Sequence, residues 1–188
     1  MRALIVSDIQ NDFCEGGSLA VTGGSALARA VSDLLADDHG YAHVVAVKDY
    51  HIEPGNHFSE NPDYVSSWPP HCVVGTPGAE FHPDLDTSSV EAIFYKGRYT
   101  GAYSAFEGAD DDGTPLADWL RARGVNELDV VGIATDYCVH ATASDAAKAG
   151  FRTRVLVNLT AGVAPESTVR ALDDLAAAGV ELVDHSPG

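Results

Sequence analysis

The sequence predicts an α/β fold: a single domain built on a doubly wound, mainly parallel six-stranded sheet with helices on both faces. Three observations predict it. Short β-branched and apolar runs alternate with stretches of helical spacing, the strand runs lack the polar alternation of a half-exposed sheet, and polar residues follow several runs directly.

In chain order, Ala3 to Val6, Val44 to Val47, Ala92 to Tyr95, Val130 to Ile133, Thr153 to Val157 and Val180 to Val183 read as strands. Between them, Ala26 to Ala36, Leu116 to Arg123, Val139 to Ala149 and Ser167 to Ala178 carry Leu, Val and Ala at helical spacing. Gly124, Gly150 and Gly179 supply C-terminal stops. From Asp49 to about Val90 the rhythm breaks. This stretch is rich in Pro, Gly, His and Asp without periodicity, and segments of that length are uncommon unless functional or disordered. It holds four of the eight histidines: His51, His57, His71 and His82. The expected organisation is one domain over 1–188 with a loop insertion at about 49–90.

The composition excludes several classes. A chain of 188 residues, 45% hydrophobic, can bury one sizeable core. The opening MRALIVSDIQ is too short an apolar run for a signal h-region or a membrane span, which leads us to expect a soluble, cytoplasmic protein with no membrane partner. Cys14, Cys72 and Cys138 are odd in number and widely spaced, as suits reduced thiols. A formal net charge of −17 argues against nucleic acid, which needs a concentrated Lys/Arg footprint.

In open α/β sheets ligands sit beyond the carboxyl ends of the strands. Asp8 follows ALIVS, Asp49 and His51 follow VVAVK, Lys96 follows AIFY, and Thr135 to Cys138 follow VVGIA, so four segments converge on one rim. Cys138 is expected in the first turn of a helix capped by Thr135 or Asp136. Free amides and the helix dipole there favour a thiolate, lowering a cysteine pKa from ~8.5 toward ~3.5 to 7.5, and can hold an oxyanion. Taken singly, a buried Cys, a loop-entry Asp and a surface Lys are the commoner fates. Together they offer a nucleophile, a carboxylate to take its proton and a cation to hold that carboxylate.

In DYHIEPGNH an extended backbone points Asp49 and His51 to the same face, and His57 follows a Pro-Gly turn. His71 in WPPHC offers a fourth ligand. Imidazoles with one carboxylate suit a single divalent ion, zinc, iron or manganese, at a site with open positions. A plain histidine-bearing surface loop is the competing view.

These segments carry a resemblance. DIQNDFCEGGSLAVTGG at Asp8 to Gly24, KDYHIEPGNHF at Lys48 to Phe58, SSWPPHCVVGTPGAEFHPDL at Ser66 to Leu85, FYKGRYTGAYSAFEG at Phe94 to Gly108 and VVGIATDYCVHATASDA at Val130 to Ala146 are similar to the bacterial nicotinamidase/pyrazinamidase family of the isochorismatase-like cysteine hydrolases, over nearly the whole chain. The resemblance implies an isochorismatase-like fold and a metal-dependent amidase that turns nicotinamide into nicotinic acid and ammonia, and pyrazinamide into pyrazinoic acid, through a Cys138 thioester. It implies Asp8, Lys96 and Cys138 as catalytic residues, and Asp49, His51, His57 and His71 as metal ligands. Phe13 and Trp68 become walls of the ring pocket, with Tyr103, Ile133, Ala134 and Tyr137 as further pocket positions. It also implies a cis Ile133–Ala134 bond, with the Ala134 and Cys138 amides directed at the oxyanion.

Two positions depart from the pattern: Tyr137 stands where relatives often carry histidine, and Ser7 replaces the usual apolar residue before the aspartate. The rival functions are an isochorismatase-type ether hydrolase, an N-carbamoyl amidase, or a non-catalytic metal- and thiol-binding protein. Cys138 argues against the first and the full metal set against the second. The partner expected is a small-molecule substrate; monomer and homo-oligomer stay open.

Overall fold

A computed structural model describes residues 1–187. Six strands, β1 (Arg2–Ser7), β2 (His43–Asp49), β3 (Ala92–Lys96), β4 (Glu127–Ile133), β5 (Arg152–Ala161) and β6 (Glu181–Val183), form one sheet in the order β3-β2-β1-β4-β5-β6. Every pairing is parallel, so the sheet is fully rather than mainly parallel. The order reverses at β1, placing the switch point between β1 and β4. There the carboxyl ends open the crevice in which such sheets bind ligands.

Four helices close the connections: α1 (Gly24–Ala36), α2 (Leu116–Ala122), α3 (His140–Lys148) and α4 (Pro165–Ala177). Alternation along β1 sorts them. Leu4 and Val6 point to the side where α1 buries Leu27, Val31 and Leu34, whereas Ala3 and Ile5 join Phe94, Leu116, Trp119 and Leu120 on the other. Between α3, α4 and the sheet, Val130, Ala143, Val155 and Leu175 form a third cluster. Burial of all these side chains is the main force holding the layers.

Each expected strand and helix is present, with ends displaced by at most four residues. The largest displacement is at β5, where a register irregularity carries the strand on to Thr160 and Ala161 beside Gly132 and Ile133. The helix expected from Val139 begins at His140 and is preceded by a π-helical turn, Thr135–Val139. The His-rich connection after β2 holds only short turns at Gly55–His57 and Pro77–Ala79 and isolated bridges, including His51 to Val73 and Phe58 to Trp68. Among the described residues, no helix is long and apolar enough to cross a membrane.

Candidate active site

Three strand ends deliver the charged centre. Asp8, in the left-handed region at φ 54°, turns off the end of β1, Asp49 closes β2 and Lys96 closes β3. The Lys96 ammonium is fully buried, 3.1 Å from Asp8 Oδ1 and 2.5 Å from Asp49 Oδ1, and 3.8 Å from Cys138 Sγ. Burial alone would lower the lysine pKa, but Asp49 and Asp8 outweigh it and hold the group protonated. Burial pushes the Asp8 carboxyl up to about 6, with Lys96 opposing, so it is ionised at neutral pH yet more basic than a surface carboxylate.

Cys138 lies within the π-helical turn, ahead of α3 rather than in its first turn. The expected side-chain cap is also absent. The Thr135 hydroxyl donates instead to Thr160, and the Asp136 carboxylate accepts from the Val163 and Ala164 amides and the Ser167 hydroxyl, at the N-terminal end of α4. The expected thiolate is corrected too. Desolvation of the fully buried sulfur, reinforced by Asp8 and Asp49 and only partly countered by Lys96, raises the thiol well above its usual value. The resting nucleophile is a neutral thiol, and its proton needs an acceptor.

Beside this centre, His51, His57 and His71 bring one ring nitrogen each within 4.8 Å of one another. Asp49 Oδ2 lies 3.4 Å from His51 Nε2 and 3.7 Å from His71 Nε2. His51 Nδ1 meets the Gly97 carbonyl at 2.5 Å and His71 Nδ1 meets the Pro69 carbonyl at 2.8 Å. A carbonyl only accepts, so both Nδ1 atoms carry hydrogen and the Nε2 lone pairs are left to the cluster. Among the described residues, buried His51 Nε2 finds no hydrogen-bond partner. Burial, with His51 and His71 as neighbours, lowers the His57 pKa to about 4, which keeps that imidazole neutral. Such a donor set fits a divalent cation. His82 stays outside the cluster, its Nδ1 accepting from the Asp84 amide.

Several supports were not anticipated from the sequence. The loop after β3 presses on the imidazoles: a Cβ at Gly97 would come within 2.6 Å of His51, and one at Gly101 within 2.6 Å of His57. Gln10 clamps Asp49 from the other side, its amide donating to Asp49 O at 2.8 Å and accepting from Asp49 N at 2.9 Å. Paired glycines in GRYTG hint at the first contact; nothing local marks Gln10.

An apolar cleft opens over the sulfur. Phe13, Trp68, Tyr103, Ile133, Ala134 and Tyr137 line it with Cys138, Asp49, His57 and His71, so every pocket position expected from sequence faces one cavity. Leu19, Val21 and Val163 also line it and were not anticipated. Trp68 donates its indole N–H to the Tyr103 hydroxyl at 3.1 Å and packs edge-on against Tyr137, centroids 5.1 Å apart. The Ile133–Ala134 peptide is cis.

The parallel six-stranded sheet thus brings a cysteine, a carboxylate and a lysine together at its switch point. The sequence matches the isochorismatase domain over residues 2–187, and the chain belongs to the isochorismatase family. It is 70% identical over 186 residues to the nicotinamidase/pyrazinamidase of Mycobacterium tuberculosis, covering 99% of this chain and 100% of that protein. Among solved structures it is similar to the PnC1 of L. infantum in complex with nicotinate (37% identity, TM-score 0.84, 98% and 92% of the two chains). It is also similar to the pyrazinamidase of Pyrococcus horikoshii in complex with zinc (39% identity, TM-score 0.81, 98% and 99%).

Proposed function

We propose that this chain hydrolyses nicotinamide to nicotinic acid and ammonia, and pyrazinamide to pyrazinoic acid, through a thioester on Cys138. The observation that carries this is the meeting of Asp8, Lys96 and Cys138 under an apolar cleft whose wall includes His57 and His71 of the three-histidine cluster. The relatives named for these activities, and the nicotinate complex of one of them, support the choice of substrate.

The residues divide the work. A flat heteroaromatic amide lies between Phe13 and Trp68, with Tyr103, Ile133 and Tyr137 closing the cleft. Asp8 takes the Cys138 proton as the sulfur attacks the carboxamide carbon, and the backbone N–H groups of Ala134 and Cys138 receive the developing oxyanion. Lys96 keeps Asp8 ionised and in place. Asp8 then returns the proton to the departing ammonia, draws one from a water molecule, and the hydroxide equivalent cleaves the thioester, releasing the acid and the thiol.

Asp49, His51, His57 and His71 would hold one divalent cation. When bound, it supplies a Lewis-acid contact that orients the ring nitrogen and so favours pyridine and pyrazine carboxamides. Zinc and iron suit this donor set best, with manganese close behind; the zinc-bound pyrazinamidase relative favours zinc. We further take the chain as one domain in which residues 49–90 bring in the metal ligands. A cytoplasmic setting accords with its three buried free thiols.

Ammonia release from nicotinamide by the metal-loaded protein, compared with Cys138→Ala, tests the proposal. The parent releases ammonia and the variant does not, since no acyl enzyme forms. Turnover by Cys138→Ala at a rate near the parent's would refute the covalent mechanism.

A further inference from the structure

Ser7 stands immediately before the aspartate at the end of β1 and is fully buried. In a regular strand the side chains of residues 7 and 8 would point to opposite faces. The left-handed backbone at Asp8 ends that alternation, and the Ser7 hydroxyl donates to Asp8 Oδ2 at 2.5 Å. Ser7 itself is held on both sides, paired with Val47 on β2 and Gly132 on β4. Gly132, at φ 123°, lies so close that a Cβ there would collide with the Ser7 backbone. The hydroxyl therefore sits on a backbone held from both sides, and no apolar residue there could make its hydrogen bond.

We propose that Ser7 is a positioning residue for the catalytic base, its hydroxyl fixing Asp8 Oδ2 so that Oδ1 stays turned toward the Lys96 ammonium. This rests on the assignment of Asp8 as base. The charged and titratable groups around Asp8 are Lys96 from β3, Asp49 from β2, Cys138 from the π-helical turn and Cys72 from the connection after β2. Lys96 is the cation among them, and Ser7 adds a second, neutral donor to the charged carboxylate. Its bond favours the ionised form, as does Lys96, against the burial that opposes it.

The test is the pH dependence of kcat/KM for nicotinamide in Ser7→Ala and in the size-matched pair Ser7→Thr and Ser7→Val, which differ only in a hydroxyl against a methyl. Removing the donor raises the Asp8 pKa, so the acid limb of Ser7→Ala and Ser7→Val moves up by about one pH unit. Activity relative to the parent then falls roughly fivefold near pH 6 and much less near pH 8. Ser7→Thr keeps its limb close to the parent's. If Ser7→Ala does not fold, the Thr and Val variants still decide the matter. Limbs of Ser7→Ala and Ser7→Val that superimpose on the parent's overturn the proposal. Asp8→Asn separates the two levels: an inactive Asp8→Asn with unmoved Ser7 limbs removes the role of Ser7 alone, whereas an active Asp8→Asn removes the base assignment as well.

Discussion

Replacing Lys96 by methionine keeps an unbranched apolar stem and removes the one cation between two buried carboxylates. The ammonium lies 3.1 Å from Asp8 and 2.5 Å from Asp49, with no side-chain exposure on the lysine and 3% or less on its partners. Breaking a buried pair by deleting one member costs about 3–5 kcal/mol, because the remaining charge stays desolvated. For a chain of this size each kcal/mol corresponds to roughly 2–4 °C, so the midpoint of thermal unfolding at pH 7 falls by roughly 6–20 °C in chelator-treated protein. Catalysis suffers separately. Asp8 sits at about 6 with Lys96 pulling it down; without that pull it rises further, and a larger fraction is protonated at pH 7. Loss of a working general base lowers kcat by ~10²–10⁴, and part of that loss returns as pH is raised. Calorimetric unfolding together with ammonia release measured from pH 5 to 9 reads both effects. A Lys96→Met protein that melts within 2 °C of the parent, or turns over within about threefold of it at pH 7, would refute the assignment of the lysine to both roles.

Three further expectations follow from the same geometry. In the parent, kcat/KM rises with a one-proton slope through a pH of about 6 as Asp8 ionises; a flat profile between pH 5 and 7 would count against Asp8 as base. Trp68→Ala, which strips one wall of the cleft and its contact with Tyr137, raises KM for nicotinamide roughly tenfold, with Trp68→Phe intermediate; an unchanged KM would place the ring elsewhere. Glu15 caps α1 from outside the helix, accepting from the Gly23 and Ser25 amides at 2.7 and 2.8 Å. Hydrogen bonding from Ser25 and then Gly23 lowers its pKa from 4.5 to about 2. A depressed folded-state pKa means that the stabilisation is complete above pH 4.5 and fades as pH falls through about 2. The gap in urea midpoint between the parent and Glu15→Gln therefore closes on going from pH 5 to 2, and a pH-independent gap would exclude the capping role.

Much of the fold was legible because parallel strands buried on both faces write themselves as unbroken apolar runs, and their alternation with helical spacing leaves few topologies. Residues just after those runs, Asp8, Asp49, Lys96 and Cys138, were legible as a rim for the same reason: where a strand ends, its next residue faces the crevice. The resemblance then supplied roles that spacing alone did not, above all for the cleft walls.

What tertiary structure alone decided concerns contacts between segments remote in the chain. That Lys96 serves Asp49 as well as Asp8, that Gln10 braces Asp49, that Asp136 gathers the Val163 and Ala164 amides ahead of α4 and that Glu15 caps α1 all depend on side chains meeting in space. The state of Cys138 is the sharpest case. Local sequence puts it at a helix start, where amides and dipole favour a thiolate, but the packed fold removes the sulfur from water and sets two carboxylates near it. Desolvation grows with everything that surrounds a group, whereas a helix dipole acts only over a turn. Neighbours along the chain could announce a nucleophile; its protonation depended on neighbours in space.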